Sequence, residues 1–175
     1  EHGRPIVNDV RLRSGRYSAV GTPDEVMLSE NFAHKRGLRP GDSLRAVING
    51  RARDLDIVGI AISPEYTYAV PPGSLYPDDM RFGILWMSRE VLGPAYDMDG
   101  AFNEVMLRLS PDANEDAVIA RLDGLLDRYG GLGAYPRAEQ PSHLILQGEL
   151  DQNRVMGTAI PAVFLGVAAF LLNLV

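Results

Sequence analysis

No cysteine occurs anywhere in the 175 residues. Thiolate catalysis, a disulfide framework and Cys-based zinc sites are therefore excluded. The compartment stays open, because a domain without disulfides can stand on either side of a membrane. A basic face is missing too. The formal net charge is −6, and the early arginines (Arg4, Arg11, Arg13, Arg16) are few and local. No nucleic-acid partner is expected, since binding phosphate needs a cationic surface. Residues 1–20 are polar and carry several charges, unlike a secretory signal. Solenoid repeats and low-complexity tracts are absent. So are GxxxxGK[ST], GxGxxG and GxSxG, so the sequence offers neither a nucleotide-phosphate cradle nor a nucleophile elbow. No cofactor is expected.

The lack of charge at the far end is the most informative of these gaps. Residues 155–175 read VMGTAIPAVFLGVAAFLLNLV, without one charged side chain. At about 1.5 Å per residue they make about 31 Å of helix, close to the ~30 Å thickness of a bilayer's hydrocarbon. Ile160, Pro161, Phe164, Leu165, Phe170, Leu171 and Leu172 mark this segment as membrane-spanning. Its apolar residues fall on all sides and leave no amphipathic stripe for a core. Gly157, Pro161 and Gly166 would weaken a soluble helix but are tolerated in lipid. The competing reading is a helix buried within a protein core. The chain opens on Glu1 rather than Met, and the apolar run reaches Val175 without a polar flank. Both suggest a piece of a longer polypeptide.

Before that segment, glycine and proline punctuate a mixed α and β pattern. Residues 1–24 read as an extended arm or edge strand, and 25–28 (EVML) as a short strand. Ser29 is placed to cap a helix running to Arg36, with Glu30 at its positive end, Lys35 and Arg36 at its negative end, and Gly37 as the left-handed stop. Arg39-Pro40-Gly41-Asp42 is a turn. Leu44, Ala46 and Ile48 alternate up to Asn49-Gly50, a strong hairpin signal, and Leu55, Ile57 and 58–62 form the return strand. Residues 63–83 are dense in Pro and Tyr, and a loop of that length is often functional. Beyond it, 82–87 is expected as a strand, Ser88 as the cap of a helix to Tyr96, and 103–109 as a strand. Asp112 and Glu115 suggest a capping box for a helix carrying Val118, Ile119, Leu122, Leu125, Leu126 and Tyr129. Gly130-Gly131 ends it, and 132–135 is a last short strand. An amphipathic helix over 142–154 then leads into the apolar segment as a stalk.

Candidate chemistry is sparse. His2, His34 and His143 lie far apart, without the close grouping of a metal site such as HExxH, so no metal is expected. Asp54/Asp56 share the solvated face of a strand. Asp78/Asp79 and Asp97/Asp99 fall in turns, where Asp is favoured for backbone reasons. Two carboxylates could divide acid and base work if burial separated their pKa values, which leaves a carboxylate hydrolase as the least favoured reading. The sequence itself gives no catalytic signal. Tyr66, Tyr68, Tyr76, Phe82 and Trp86 are the candidate contact residues, since such rings join apolar area to a polar tip. They either meet a partner or seal a junction between lobes.

Taken in order, Asp24-Glu25-Val26-Met27-Leu28-Ser29-Glu30, then Gly37-Leu38-Arg39-Pro40-Gly41-Asp42-Ser43-Leu44, then Val58-Gly59-Ile60 resemble the extracytoplasmic core of FtsX/MacB-type ABC transporter permeases. The resemblance covers about residues 15–175, including the exit into the hydrophobic helix at Ile160-Pro161. It implies an α+β fold of two lobes, a β-rich one over 15–63 and an α/β (βαβαβ) one over 64–141. A stalk over 142–154 would complete an extracytoplasmic domain at 1–154, and 155–175 would begin a transmembrane helix. It also implies a non-enzymatic domain on the periplasmic or extracytoplasmic side of the inner membrane. There it would couple ATP hydrolysis by a cytoplasmic ATPase subunit to movement of lipoprotein, lipid or peptide cargo, as a homodimer of permease subunits in contact with membrane lipid. The loop over 64–82 is longer and more aromatic than that family's pattern requires. The alternative is a membrane-anchored or soluble binding module that uses the aromatic 64–86 loop.

Overall fold

A computed structural model of the chain describes residues 7–74 and 76–174. The protein is α+β and divides into two compact units, Glu1–Ala113 and Asn114–Val175. The first holds β1 (Arg11–Gly15), β2 (Glu25–Ser29), α1 (Glu30–Arg36), β3 (Ser43–Ile48), β4 (Arg51–Ile62), β5 (Leu85–Trp86) and α2 (Arg89–Ala95). The second holds α3 (Glu115–Leu126), two short 3-10 turns and α4 (Pro141–Leu174).

The Asn49-Gly50 turn forms as its sequence dictates, with both residues at positive φ (46° and 76°). It returns β3 onto β4 antiparallel in unbroken register from Ile48↔Arg51 to Ser43↔Asp56. The second half of β4 then takes two more partners, β1 antiparallel and β2 parallel, and β2 carries β5 on its other edge. A central strand flanked on both edges has little need of alternation. Val26, Met27 and Leu28 are accordingly all buried, as are Gly59, Ile60 and Ala61. The parallel register slips by one residue opposite Val58, whose carbonyl accepts a 2.9 Å bond from Arg16 N–H. Such a bulge bends its strand. Gly59 follows because the chains approach closely there: a Cβ would collide with the carbonyl oxygen of Arg16.

Helix α1 ends at Gly37, in the left-handed region at φ 68°, as expected. Its Phe32 and Ala33 pack with Val26, Leu28, Ile48, Leu55, Ile57 and Ile60 into the core of the first unit. Ser29 does stand at the N-cap position, but its side chain makes no cap bond. Its hydroxyl accepts instead from Ile84 N–H at 3.1 Å, while its own N–H donates to the Ile84 carbonyl at 2.9 Å. The segment after the proline-rich loop is thereby fastened to the end of β2. Ser88 behaves alike, making no cap bond and accepting from Gly21 N–H at 3.0 Å.

The expected βαβαβ lobe over 64–141 is not what the described residues form. Only Leu85–Trp86 of the 82–87 strand pairs, and it pairs with β2, in the same sheet as the hairpin. Residue 63 is therefore not where the compact units part. Residues 103–109 keep their alternation but meet no strand edge, and propensity without a partner makes no strand. Residues 132–135 also stay unpaired. Glycines at 130, 131 and 133 weaken a strand there, and Ala134 N–H is taken by Asp123 of α3 at 2.7 Å. At the start of α3, Asn114 caps in place of the expected Asp112/Glu115 box, accepting from Ala117 N–H at 3.0 Å. The last stretch agrees with expectation: 142–154 runs unbroken into the apolar segment as part of one helix of 34 residues.

Gly83 stands directly against Phe32, and a Cβ there would collide with the ring. Gly83→Ala is expected to destabilise the fold by roughly 1–3 kcal/mol, the range for overpacking a filled core. Chemical denaturation of the chain in mild detergent would read this as a lower midpoint with an unchanged slope.

Candidate membrane segment and contact loop

Ile160, Pro161, Phe164, Leu165, Phe170, Leu171 and Leu172 all lie on α4. The six other than Pro161 are exposed large hydrophobics, with Phe164 and Leu165 each 71% accessible. The helix is long and apolar enough to cross a membrane, and none of its apolar stretch is buried. The reading of 155–175 as a buried core helix therefore has no support from the described residues. Arg154 is the last charge before 155–175. The exposed area of the segment is what a soluble surface avoids and what lipid accepts.

The five aromatic contact candidates do not form one cluster. Tyr66 and Trp86 meet edge to face, with ring centroids 6.4 Å apart, and both are half-buried. Trp86 sits on β5, opposite Met27 of β2, so this pair closes the outer edge of the sheet. Phe82 and Tyr68 are half-buried as well. Tyr76 is different: it is 76% accessible, and Met80 nearby is 52% accessible. The loop that carries them is held from below. Asp78 accepts from Met80 N–H through its carboxylate at 3.2 Å, and its carbonyl accepts from Phe82 N–H at 2.8 Å. Arg36 of α1 donates to the Met80 carbonyl at 3.1 Å while lying over the Phe32 ring. Asp78 is thus a turn-forming residue.

The remaining acid pairs sit as expected for solvated or turn residues. Asp54 and Asp56 are exposed, and Asp54 faces Arg45 across the hairpin at 4.0 Å. Asp97 occupies the left-handed region at φ 55°. His34 is exposed, and His143 lies on α4; His2 falls outside the described residues. No group of three potential metal ligands occurs among the described residues. Two open clefts of about 400 and 510 Å³ lie in the first unit, one beside Glu30, His34 and Arg39, the other beside Val20, Arg89, Glu90 and Asp99.

Two features escaped the sequence. One is a clasp. Arg16 grips both carboxylate oxygens of Glu25, one of them at 2.8 Å, and Ala19 N–H donates to the same carboxylate at 2.8 Å. The hydrogen bonds from Arg16, then that from Ala19, draw the Glu25 carboxyl down to about 2 from its ordinary 4.5. Nothing in the residue types predicted the pairing, because it depends on a turn at 17–24. The other is the exposed apolar run Phe102, Val105, Met106 and Leu107, left open because 103–109 finds no strand partner.

No protein-family profile, curated protein or solved structure matches the chain.

The clasp fixes the sign of a pH dependence. A carboxyl with a lowered folded pKa contributes stability that is complete above its unfolded value and lost as pH falls through the folded one. The arm at 16–19 should therefore loosen between about pH 4.5 and 2. The Ala19 amide shift in NMR should titrate in step, and Glu25→Gln should remove the titration. At the loop, Tyr76→Ala should change stability by no more than about 0.5 kcal/mol, as surface changes do. Trp86→Ala should cost more, though less than the roughly 3–5 kcal/mol of a fully buried ring; thermal melts of the two variants side by side would check this ranking.

Proposed function

We propose that this chain is the extracytoplasmic portion of an FtsX/MacB-type ABC transporter permease, anchored in the membrane by α4. The observation that carries the reading is the continuity of α4. A polar helical stalk, ending in Glu149, Asp151 and Arg154, passes without a break into an uncharged span whose described residues are all exposed. A continuous helix shared by a folded unit and a bilayer couples their positions more directly than an unstructured tether does. The order of β2, α1, the Pro-Gly-Asp turn, the hairpin and Val58-Gly59-Ile60 supports the same reading.

On this proposal a cytoplasmic ATPase subunit supplies the work, a second permease subunit completes a homodimer, and the domain faces the periplasm or the cell exterior. Lipoprotein, lipid or peptide would be the cargo. A second reading, a membrane-anchored binding module without an ATPase, draws on the exposed Tyr76 and Met80.

These 175 residues hold no cysteine, so one introduced among them is the single thiol of this portion. Arg51→Cys, on an exposed turn flank, should react with a membrane-impermeant maleimide in intact cells expressing the native polypeptide. Reaction only after the membrane is permeabilised would overturn the extracytoplasmic placement. Co-purification of a nucleotide-hydrolysing subunit separates the permease reading from the binding module.

A further inference from the structure

Three features that weaken an α-helix fall within one turn of α4. Pro161 has no N–H to donate, so the carbonyl of Gly157, four residues earlier, loses its helical partner, and the proline ring crowds that same carbonyl. Gly157 has the most backbone freedom of any residue type, and nothing lies within 4 Å of where its Cβ would be. No close neighbour therefore demands glycine at this position. Between them, Thr158 turns its hydroxyl back onto the carbonyls of Arg154 and Val155 at 3.0 and 3.1 Å, a contact that loosens and bends helices.

Their depth matters. Gly157 is three residues beyond Arg154, the last charge of the chain, so its freed carbonyl lies only about 4.5 Å further along the axis. With Arg154 at the headgroups, that carbonyl stays within reach of interfacial water. At the bilayer centre nothing would satisfy an unpaired carbonyl; at the surface water does. We infer that 157–161 is a hinge placed at the membrane surface, about which the stalk at 142–154 changes its tilt while the span at 162–173 keeps its own. The inference rests on the membrane reading of α4 and adds where its motion is absorbed. Helix kinks sharper than about 20° almost always fall at proline, at Gly/Ser pairs or at a similar break in the hydrogen-bond ladder.

Solid-state NMR of the ¹⁵N-labelled chain in oriented phospholipid bilayers measures the tilt of each half separately. Wild type should show tilts for 142–156 and 162–173 differing by more than about 20°. Pro161→Ala should bring them to one value, and Gly157→Ala should narrow the difference. A single tilt in wild type, or a difference that survives Pro161→Ala, overturns the hinge and leaves the membrane reading standing. A chain that never enters the bilayers overturns both.

Discussion

Strand β4 is the constraint on which the first unit depends. Its twelve residues hold β3 along the first half, β1 along the second, and β2 on the opposite edge. These pairings run in both directions, so the strand cannot slide to suit one partner without disturbing the others. The bulge at Val58 and the bare Gly59 reconcile them: the bulge absorbs the change of register, and the missing side chain lets the Arg16 backbone approach. Leu55 and Ile57 from β4, Val26 and Leu28 from β2, and Phe32 from α1 then close one apolar core. Disturbing β4 therefore disturbs β1, β2 and β3 together.

Where a local rule stood alone, the sequence announced the structure. Asn49-Gly50 had one favourable turn, Gly37 one favourable stop, and 155–175 no composition but an apolar one. Where a rule needed a distant partner, it did not. Ser29 looked like a helix cap because serine in that position usually is, yet its hydroxyl answers to Ile84, 55 residues away. The alternation at 103–109 was real, but pairing depends on a free edge that sequence cannot show. Asp112 and Asn114 both suit a cap, and local geometry decided between them.

The candidate site was legible in the same uneven way. The span on α4 could be read residue by residue, since hydrophobicity without periodicity is itself the signal. The aromatic set could only be listed by proximity in sequence, and the fold separates it. Tyr66 and Trp86 finish a sheet edge, while Tyr76 stands out on a turn that Asp78 and Arg36 support. The Arg16–Glu25 clasp was invisible because it joins the residue after β1 to the start of β2 across a turn with no recognisable motif.

The edge-to-face contact at the end of the sheet also has a spectroscopic meaning. Trp86 is the only tryptophan among the 175 residues, so indole emission from these residues originates at a single point. That point is the β2–β5 edge, where the proline-rich loop returns to the sheet, with a tyrosine ring 6.4 Å away as a ready energy donor. The molecule thus carries a built-in optical probe of its loop closure, and no foreign dye is needed to follow it.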